Sequence, residues 1–116
     1  HVLSLGKKKV LELSETGYEP PKYRDDLTLP GTALRTMASV VTKGMKVAGK
    51  ISDHDELVAS KSAYVLSGGE KGGLMSKVDE QHVLDIEREA FMSLAGEQKT
   101  QQRIKHFLKT GKPLRN

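Results

Sequence analysis

The densest group of residues that could do chemistry is the run Asp53-His54-Asp55-Glu56. Imidazoles and carboxylates are common ligands of zinc. On a helix, however, His54 and Asp55 would point about 100° apart, so the two cannot reach one metal ion without help from a second element. We therefore expect this run to open a helix, where its negative charges interact with the positive end of the helix dipole.

The spacing of the other histidines gives less indication of a functional site. His82 lies three residues from both Asp79 and Asp85 and could pair with either, which predicts an ordinary surface hydrogen bond. His106 falls on a basic helix face without an acidic partner in the adjacent turns, and His1 is terminal. None of the four histidines is predicted to act in catalysis.

Paired carboxylates can carry general acid–base chemistry. Asp85 and Glu89 are four residues apart on a predicted helix, whereas Glu87 and Glu89 point to different sides of it. Arg88 lies beside them, and the whole face is polar. We expect these side chains to form a charged exterior.

Ser67 before Gly68-Gly69 resembles a nucleophile elbow, but no strand precedes it, and a serine nucleophile needs a base and an orienting acid within reach. Four glycines fall between residues 68 and 73, yet neither Gly-Lys-Ser/Thr nor G-x-G-x-x-G occurs there at the required spacing. We interpret residues 68–75 as a flexible glycine-rich link. The sequence thus predicts no catalytic residue, no cofactor-binding residue and no metal ligand.

Composition further limits the classes of protein and of functional site that the chain can represent. The 116 residues suffice for one domain, 1–116, or for one piece of a larger protein. The absence of cysteine excludes disulfides, thiolate zinc sites and cysteine nucleophiles. No apolar run approaches the roughly 20 residues of a membrane span, and no secretory leader opens the chain, so we expect a cytoplasmic location.

The positions of apolar residues, caps and glycines predict an all-α fold of about five helices in a small bundle. An extended arm over 18–31, which contains Pro20, Pro21 and Pro30, separates the first two helices and could lie on a surface or pair briefly as a strand. Ser52 and Asp55 resemble a capping box. The predicted helices cover residues 2–16 and 32–48, then start at 52 and at 76 or 79, and the last covers 97–109.

Apolar residues recur at helical spacing in each of these segments, so we expect their faces to pack against one another. The positions are Leu3, Val10 and Leu13 in the first helix; Leu34, Met37, Ala38, Val41, Met45 and Ala48 in the second; Leu57, Val58, Val65 and Leu66 in the third; Val83, Leu84, Ile86, Ala90, Phe91 and Leu94 in the fourth; and Ile104, Phe107 and Leu108 in the fifth.

Charge is unevenly distributed along the chain. Residues 73–96 hold two basic and five acidic side chains, and residues 97–116 hold six basic and one acidic. The two segments could simply attract each other within one bundle, which we favour. Alternatively, the basic segment could bind phosphates, either of nucleic acid or of coenzyme A, for example through Lys105, Lys109 and Lys112.

Five local strings, in order, resemble the C-terminal end of a known protein type. They are Gly17-Tyr18-Glu19-Pro20-Pro21, Ile51-Ser52-Asp53-His54-Asp55, Ala63-Tyr64-Val65-Leu66-Ser67-Gly68-Gly69, Leu84-Asp85-Ile86-Glu87-Arg88-Glu89-Ala90-Phe91 and Thr110-Gly111-Lys112-Pro113-Leu114-Arg115-Asn116. Together they resemble the tail of bacterial bifunctional 3-hydroxyacyl-CoA dehydrogenase/enoyl-CoA hydratase proteins of fatty-acid β-oxidation. The likeness spans nearly the whole chain.

The resemblance implies a parent enzyme that uses NAD and acts on acyl-CoA thioesters. Its dehydrogenase and hydratase domains would lie upstream in the same polypeptide and would hold the catalytic residues, none of which maps onto this chain. The chain would then be a non-catalytic helical C-terminal domain that packs on the hydratase part, joins subunits of a homo-oligomer or docks a thiolase. The alternative is a stand-alone basic helical module that binds nucleic acid or another polyanion.

Overall fold

The structure is a computed structural model, and it describes all 116 residues. It confirms the all-α fold. Five α-helices follow one another along the chain, and the only β-type pairing is an isolated antiparallel bridge. The helices are α1 (Val2–Glu15), α2 (Thr32–Val47), α3 (Asp53–Leu66), α4 (Glu80–Ala95) and α5 (Gln98–Thr110), and a single 3₁₀ turn covers Gly69–Lys71.

The predicted capping residues begin the helices. At α3, the backbone N–H of Asp55 donates to Ser52 Oγ over 3.1 Å, and the backbone N–H of Ser52 donates to Asp55 Oδ2 over 2.9 Å, which completes the capping box. At α4, Asp79 Oδ1 accepts from the backbone N–H of His82 over 2.7 Å, so Asp79 rather than Ser76 is the cap. The polar residues between the apolar segments therefore set the helix starts.

The extended arm pairs with the segment that leads into α4. Leu27 and Val78 exchange both backbone hydrogen bonds, at 2.9 and 2.8 Å. The carbonyl of Arg24 accepts from the N–H of Glu80 over 2.9 Å, and the hydroxyl of Tyr23 accepts from the N–H of Gln81 over 3.3 Å. Of the two alternatives predicted for the arm, brief strand pairing is the one observed, and it fixes the second half of the arm beside the start of α4.

Helix α3 is the centre of the small bundle, because α2 packs on one side of it and α4 on another, while α5 packs on α4. The core is small: eight of 116 residues are buried, and the hydrophobic ones among them are Ala63, Val78 and Ile86. The Cα radius of gyration is 19.4 Å, whereas a compact domain of this length has about 13 Å. The chain is an open arrangement of helices.

Several apolar faces are not covered, which corrects the expectation that all of them pack together. Every residue of α1 is exposed, including Leu3, Val10 and Leu13. In α2 the predicted buried stripe is wrong for Met37, Val41, Met45 and Ala48, which are exposed, and only Leu34 and Ala38 are half-buried.

In α5, Ile104, Phe107 and Leu108 are also exposed, because the helix turns polar residues toward the protein instead. The prediction for α4 holds in part: Ile86 is buried and Val83, Ala90 and Leu94 are half-buried, whereas Leu84 and Phe91 are exposed.

The glycines after α3 are required by close approach of the backbone. A Cβ on Gly72 would lie 1.8 Å from the carbonyl oxygen of Ser67. A Cβ on Gly31, whose φ is +67°, would lie 2.8 Å from the carbonyl oxygen of Gly72. The start of α2 and the end of α3 therefore meet at this turn. The flexibility expected for residues 68–75 stays a prediction.

Replacing Gly72 by alanine should destabilise the fold, because the new methyl group would collide with the backbone of Ser67. We expect a loss on the order of 2 kcal/mol in the free energy of unfolding. Gly44→Ala in α2 is the matched control, since nothing lies within 4 Å of its Cβ position, and it should gain about 0.5–1 kcal/mol from helix propensity. Thermal unfolding followed by circular dichroism measures both, and equal midpoints for the two variants would contradict this interpretation.

Candidate functional site

The most highly connected polar group in the structure joins α3 to α5. Arg103 Nη2 donates to Asp55 Oδ1 over 2.9 Å, and Ser52 Oγ donates to the main-chain oxygen of Asn116 over 2.7 Å. We call Ser52, Asp55, Arg103 and Asn116 the α3–α5 polar cluster. The capping box at the start of α3 thus also serves as a docking point for the last residues of the chain.

Asn116 is held from several directions. Its side-chain oxygen accepts from Arg103 Nε over 2.6 Å, and its main-chain oxygen accepts from Arg103 Nη2 over 2.9 Å. Its amide nitrogen donates to the carbonyl oxygen of Lys99 and to Gln102 Oε1, each over 3.1 Å. Residues 111–116 therefore fold back along α5 and tie it to the N-terminus of α3.

The carboxylate of Asp55 is committed to structural contacts. The hydrogen bond from the backbone of Ser52, followed by the hydrogen bond from Arg103, lowers the pKa of Asp55 below its ordinary value. A carboxylate that accepts several hydrogen bonds is stabilised in its ionised form. Asp55 is therefore a charged acceptor that anchors two elements, and a lowered pKa makes it a poor proton acceptor.

His54, the neighbouring residue, is buried and points elsewhere. Its Nε2 lies 2.8 Å from Thr100 Oγ1 on α5. The sequence placed this histidine in a cluster of charges at a helix start, and its burial was not foreseen. As expected from their spacing, His54 and Asp55 have different partners. No group of three or more His, Asp or Glu side chains is placed to hold a metal ion.

Two acidic side chains of α3 pair with α2. Lys46 Nζ lies 2.8 Å from Asp53 Oδ1 and 3.5 Å from Glu56 Oε2. The hydrogen bond and charge of Asp53 raise the pKa of Lys46, and Lys46 in turn lowers the pKa of Asp53. Because Lys46 and Asp53 are largely exposed, their ion pair adds little stability. The dipole role predicted for the acidic run is thus shared with cross-helix pairing.

The ring of His82 contacts neither of the predicted acidic partners. Its Nε2 lies 2.9 Å from the carbonyl oxygen of Gly68, while Asp79 bonds the backbone of His82 and Asp85 accepts from Gln81 over 2.8 Å. The prediction of a His82–carboxylate pair is therefore wrong. The carbonyl of Gly68 comes into reach because the turn after α3 packs against α4, and sequence spacing within α4 carries no sign of it.

Ser67 is fully buried, and its hydroxyl donates to the carbonyl oxygen of Tyr64 over 2.8 Å. It does not lie in an elbow open to a substrate. Asp85, Glu87, Arg88 and Glu89 are all exposed, which confirms a charged exterior on α4. Neither group forms a nucleophile–base or paired-carboxylate arrangement.

A cavity lined by both polar and apolar side chains lies between α2 and α3. Its volume is about 190 Å³. One guanidinium nitrogen of Arg35, Nη1, is buried there without a hydrogen-bond partner, and Glu56 Oε2 has only the long contact to Lys46. The cavity is lined by Arg35, Ala38, Ser39, Thr42, Glu56, Ser60, Ala63 and Tyr64.

Three residues that matter here were not singled out from the sequence: Arg103, Asn116 and Arg35. Arg103 shares one side of α5 with Thr100 and His106, at a spacing of three residues, and this polar stripe faces the protein. Arg35 places its guanidinium carbon 5.4 Å from the centre of the Tyr64 ring. The polar stripe of α5 is visible in the sequence, but nothing local shows that it is the covered side.

No helix combines the length and the apolar character that crossing a membrane requires. The fold and its polar groups define a helical chain held together by cross-helix hydrogen bonds. No protein-family model matches the chain, and no solved structure matches it. Over all 116 residues it is 43% identical to a "probable 3-hydroxyacyl-CoA dehydrogenase" of Bacillus subtilis (strain 168).

The match covers the whole of this chain but 14% of the Bacillus protein. The chain is therefore similar to one segment of a much longer dehydrogenase. This agrees with the dehydrogenase part of the resemblance found in the sequence. The hydratase part and the position of the segment within a parent protein belong to the proposal below.

The role of Asp55 can be tested through pH. Because its pKa is lowered in the fold, ionised Asp55 stabilises the protein above its ordinary pKa of 3.8, and this contribution is lost as the pH falls through the lower folded-state pKa. At neutral pH, Asp55→Asn should cost on the order of 1 kcal/mol, and this deficit should shrink as the pH falls below the ordinary carboxyl range and Asp55 becomes protonated in the fold.

Unfolding midpoints across this pH range are the measurement, and Asp25→Asn is the control, since Asp25 is exposed and outside the cluster. A deficit for Asp55→Asn that stays constant down to the acid end would show that the charge of Asp55 is not what stabilises the fold.

Proposed function

We propose that this chain is the non-catalytic helical C-terminal domain of a longer 3-hydroxyacyl-CoA dehydrogenase that also carries an enoyl-CoA hydratase and acts in fatty-acid β-oxidation in the cytoplasm. The domain contributes packing and assembly. The observation that carries the proposal is the 43% identity over the entire chain to a segment of a probable 3-hydroxyacyl-CoA dehydrogenase.

The state of the polar side chains supports a non-catalytic role. The histidines with defined partners, His54 and His82, are engaged with Thr100 and with the carbonyl of Gly68. Asp55 is held by Arg103 and by its own capping box. Ser67 is buried. Catalytic groups need mutual reach and access to a substrate, and these groups are used in joining helices.

The residues present do not fit NAD. A dinucleotide binds where a glycine-rich turn joins a strand to a helix and leaves its backbone N–H groups free for the pyrophosphate. The glycine-rich turn here follows a helix, and its glycines pack on Leu29 and on the backbone of Gly31. In our proposal NAD and the acyl-CoA substrate therefore bind to other domains of the parent, and no catalytic step passes through this chain.

Open apolar faces support an assembly role. A chain that buries eight of 116 residues leaves surfaces that proteins normally cover. The parent's own dehydrogenase and hydratase domains are the nearest candidates to cover them, and a second subunit or a thiolase is a further candidate.

Activity measurements on the parent polypeptide, on the parent lacking this segment and on the isolated chain test the proposal. With a 3-hydroxyacyl-CoA and NAD, the parent should reduce NAD, and the isolated chain should not. The shortened parent should show a lower unfolding temperature or an altered oligomeric state. Turnover by the isolated chain, or a parent without dehydrogenase activity, would contradict the proposal.

A second candidate function rests on the basic side of α5, where Lys105 and Lys109 are exposed beside Ile104 and Leu108. A polyanion would be attracted to these lysines, and its binding would weaken steeply as salt rises. Titration of the chain with duplex DNA over a range of salt concentrations separates the two functions. We expect no binding even at low salt, whereas tight binding with a steep salt dependence would favour the nucleic-acid module.

A further inference from the structure

One side of α2 is apolar along its whole length and has no partner. At 100° per residue, its apolar positions fall within about one third of the helix circumference, and no charged residue of α2 lies among them. We call this side the α2 outer face. It consists of Ala33, Met37, Val40, Val41, Gly44 and Val47, all of which are exposed.

The opposite side of α2 already has its partner. Leu34, Ala38 and Thr42 are half-buried, and α2 packs mainly against α3. The α2 outer face points away from this contact. Val47, at its end, is 90% exposed. Rearrangement within the α2–α3 pair therefore cannot cover both sides, and the outer face needs another surface.

Helix α1 has a second apolar face without a partner. Leu3, Val10 and Leu13 share one side of it, all residues of α1 are exposed, and no other element makes an extensive contact with α1. Isolated helices of this length are marginal in water, so α1 also requires a partner for stability. Both of these faces belong to residues 2–47, so a large part of the uncovered apolar surface lies in the first part of the chain, in addition to the outer side of α5.

We propose that the α2 outer face is a permanent docking surface for the rest of the parent polypeptide, in the same chain. This inference rests on the proposed function. The length of the relative points to the occupant of the α2 outer face. The dehydrogenase that this chain resembles extends far beyond the matched 14%, so a parent of that length would hold ample polypeptide to cover the face. The chemistry of the face agrees: an interface core without charges is typical of obligate association, whereas transient interfaces are more polar.

The methionines of the chain provide a matched test. Met37 lies on the α2 outer face and Met92 on α4, and both are 65% exposed. Hydrogen peroxide oxidises exposed methionines to sulfoxides, and mass spectrometry reads each position separately. The parent polypeptide is treated with peroxide, and the same parent in denaturant gives the intrinsic rate of each methionine.

In the folded parent we expect oxidation of Met37 to be slower than that of Met92 by about tenfold or more, each relative to its denatured rate. The ratio should not change when the parent is diluted, because the occupant belongs to the same polypeptide. Similar rates for Met37 and Met92 would overturn the inference. Protection of Met37 that disappears on dilution would also overturn it, since the face would then bind a second copy.

The dehydrogenase activity of the same preparation is measured before oxidation. An active parent with unprotected Met37 rejects the docking surface and leaves the proposed function intact. An inactive parent rejects the proposed function instead.

Discussion

Burial of apolar surface is the constraint on which this structure depends. Hydrophobic burial is the main favourable term in folding, and here it is concentrated where α3 meets α4 and the arm, around Ala63, Val78 and Ile86. Helices α1 and α2 and the outer side of α5 keep large apolar side chains in water. The folded chain is thus organised around one helix, and its remaining apolar faces are directed outward.

Hydrogen bonds hold what apolar packing does not. Helix α5 exposes Ile104 and Leu108, yet Thr100 and Arg103 attach it to His54 and Asp55 of α3. Hydrogen bonds to charged groups contribute more than neutral ones, so the α3–α5 polar cluster compensates in part for the small core. His54 and Asp55, whose residue types are common in catalytic sites, therefore help to fix the relative positions of α3 and α5.

Much of the fold follows from local sequence. The cap Ser52 was predictable, because caps act over a few positions. Asp79 and the pairing of the arm were each one of two alternatives that the local sequence left open. The covered sides of α2 and α5 could not be predicted in this way. An amphipathic pattern shows that a face needs a partner, and α2 and α5 carry such patterns without the partner being present in this chain.

The local features of the candidate site could be predicted from the sequence, whereas its long-range contacts could not. The spacing of His54 and Asp55 indicated that the two side chains point in different directions, and the exposure of the α4 carboxylates followed from their pattern. The bond from His82 to the turn after α3, and the attachment of Asn116 to Ser52 and Arg103, join residues distant in sequence. Such contacts depend on the tertiary fold.

The central claim is that these helices leave much of their apolar surface to be covered by a longer polypeptide. The heat capacity change on unfolding tests it directly, because that quantity scales with the apolar area buried in the folded state. An ordinary domain of this length would give about 1.4–1.7 kcal/mol/K. We predict a clearly smaller value for the isolated chain by calorimetry, and a value in the ordinary range would contradict the account.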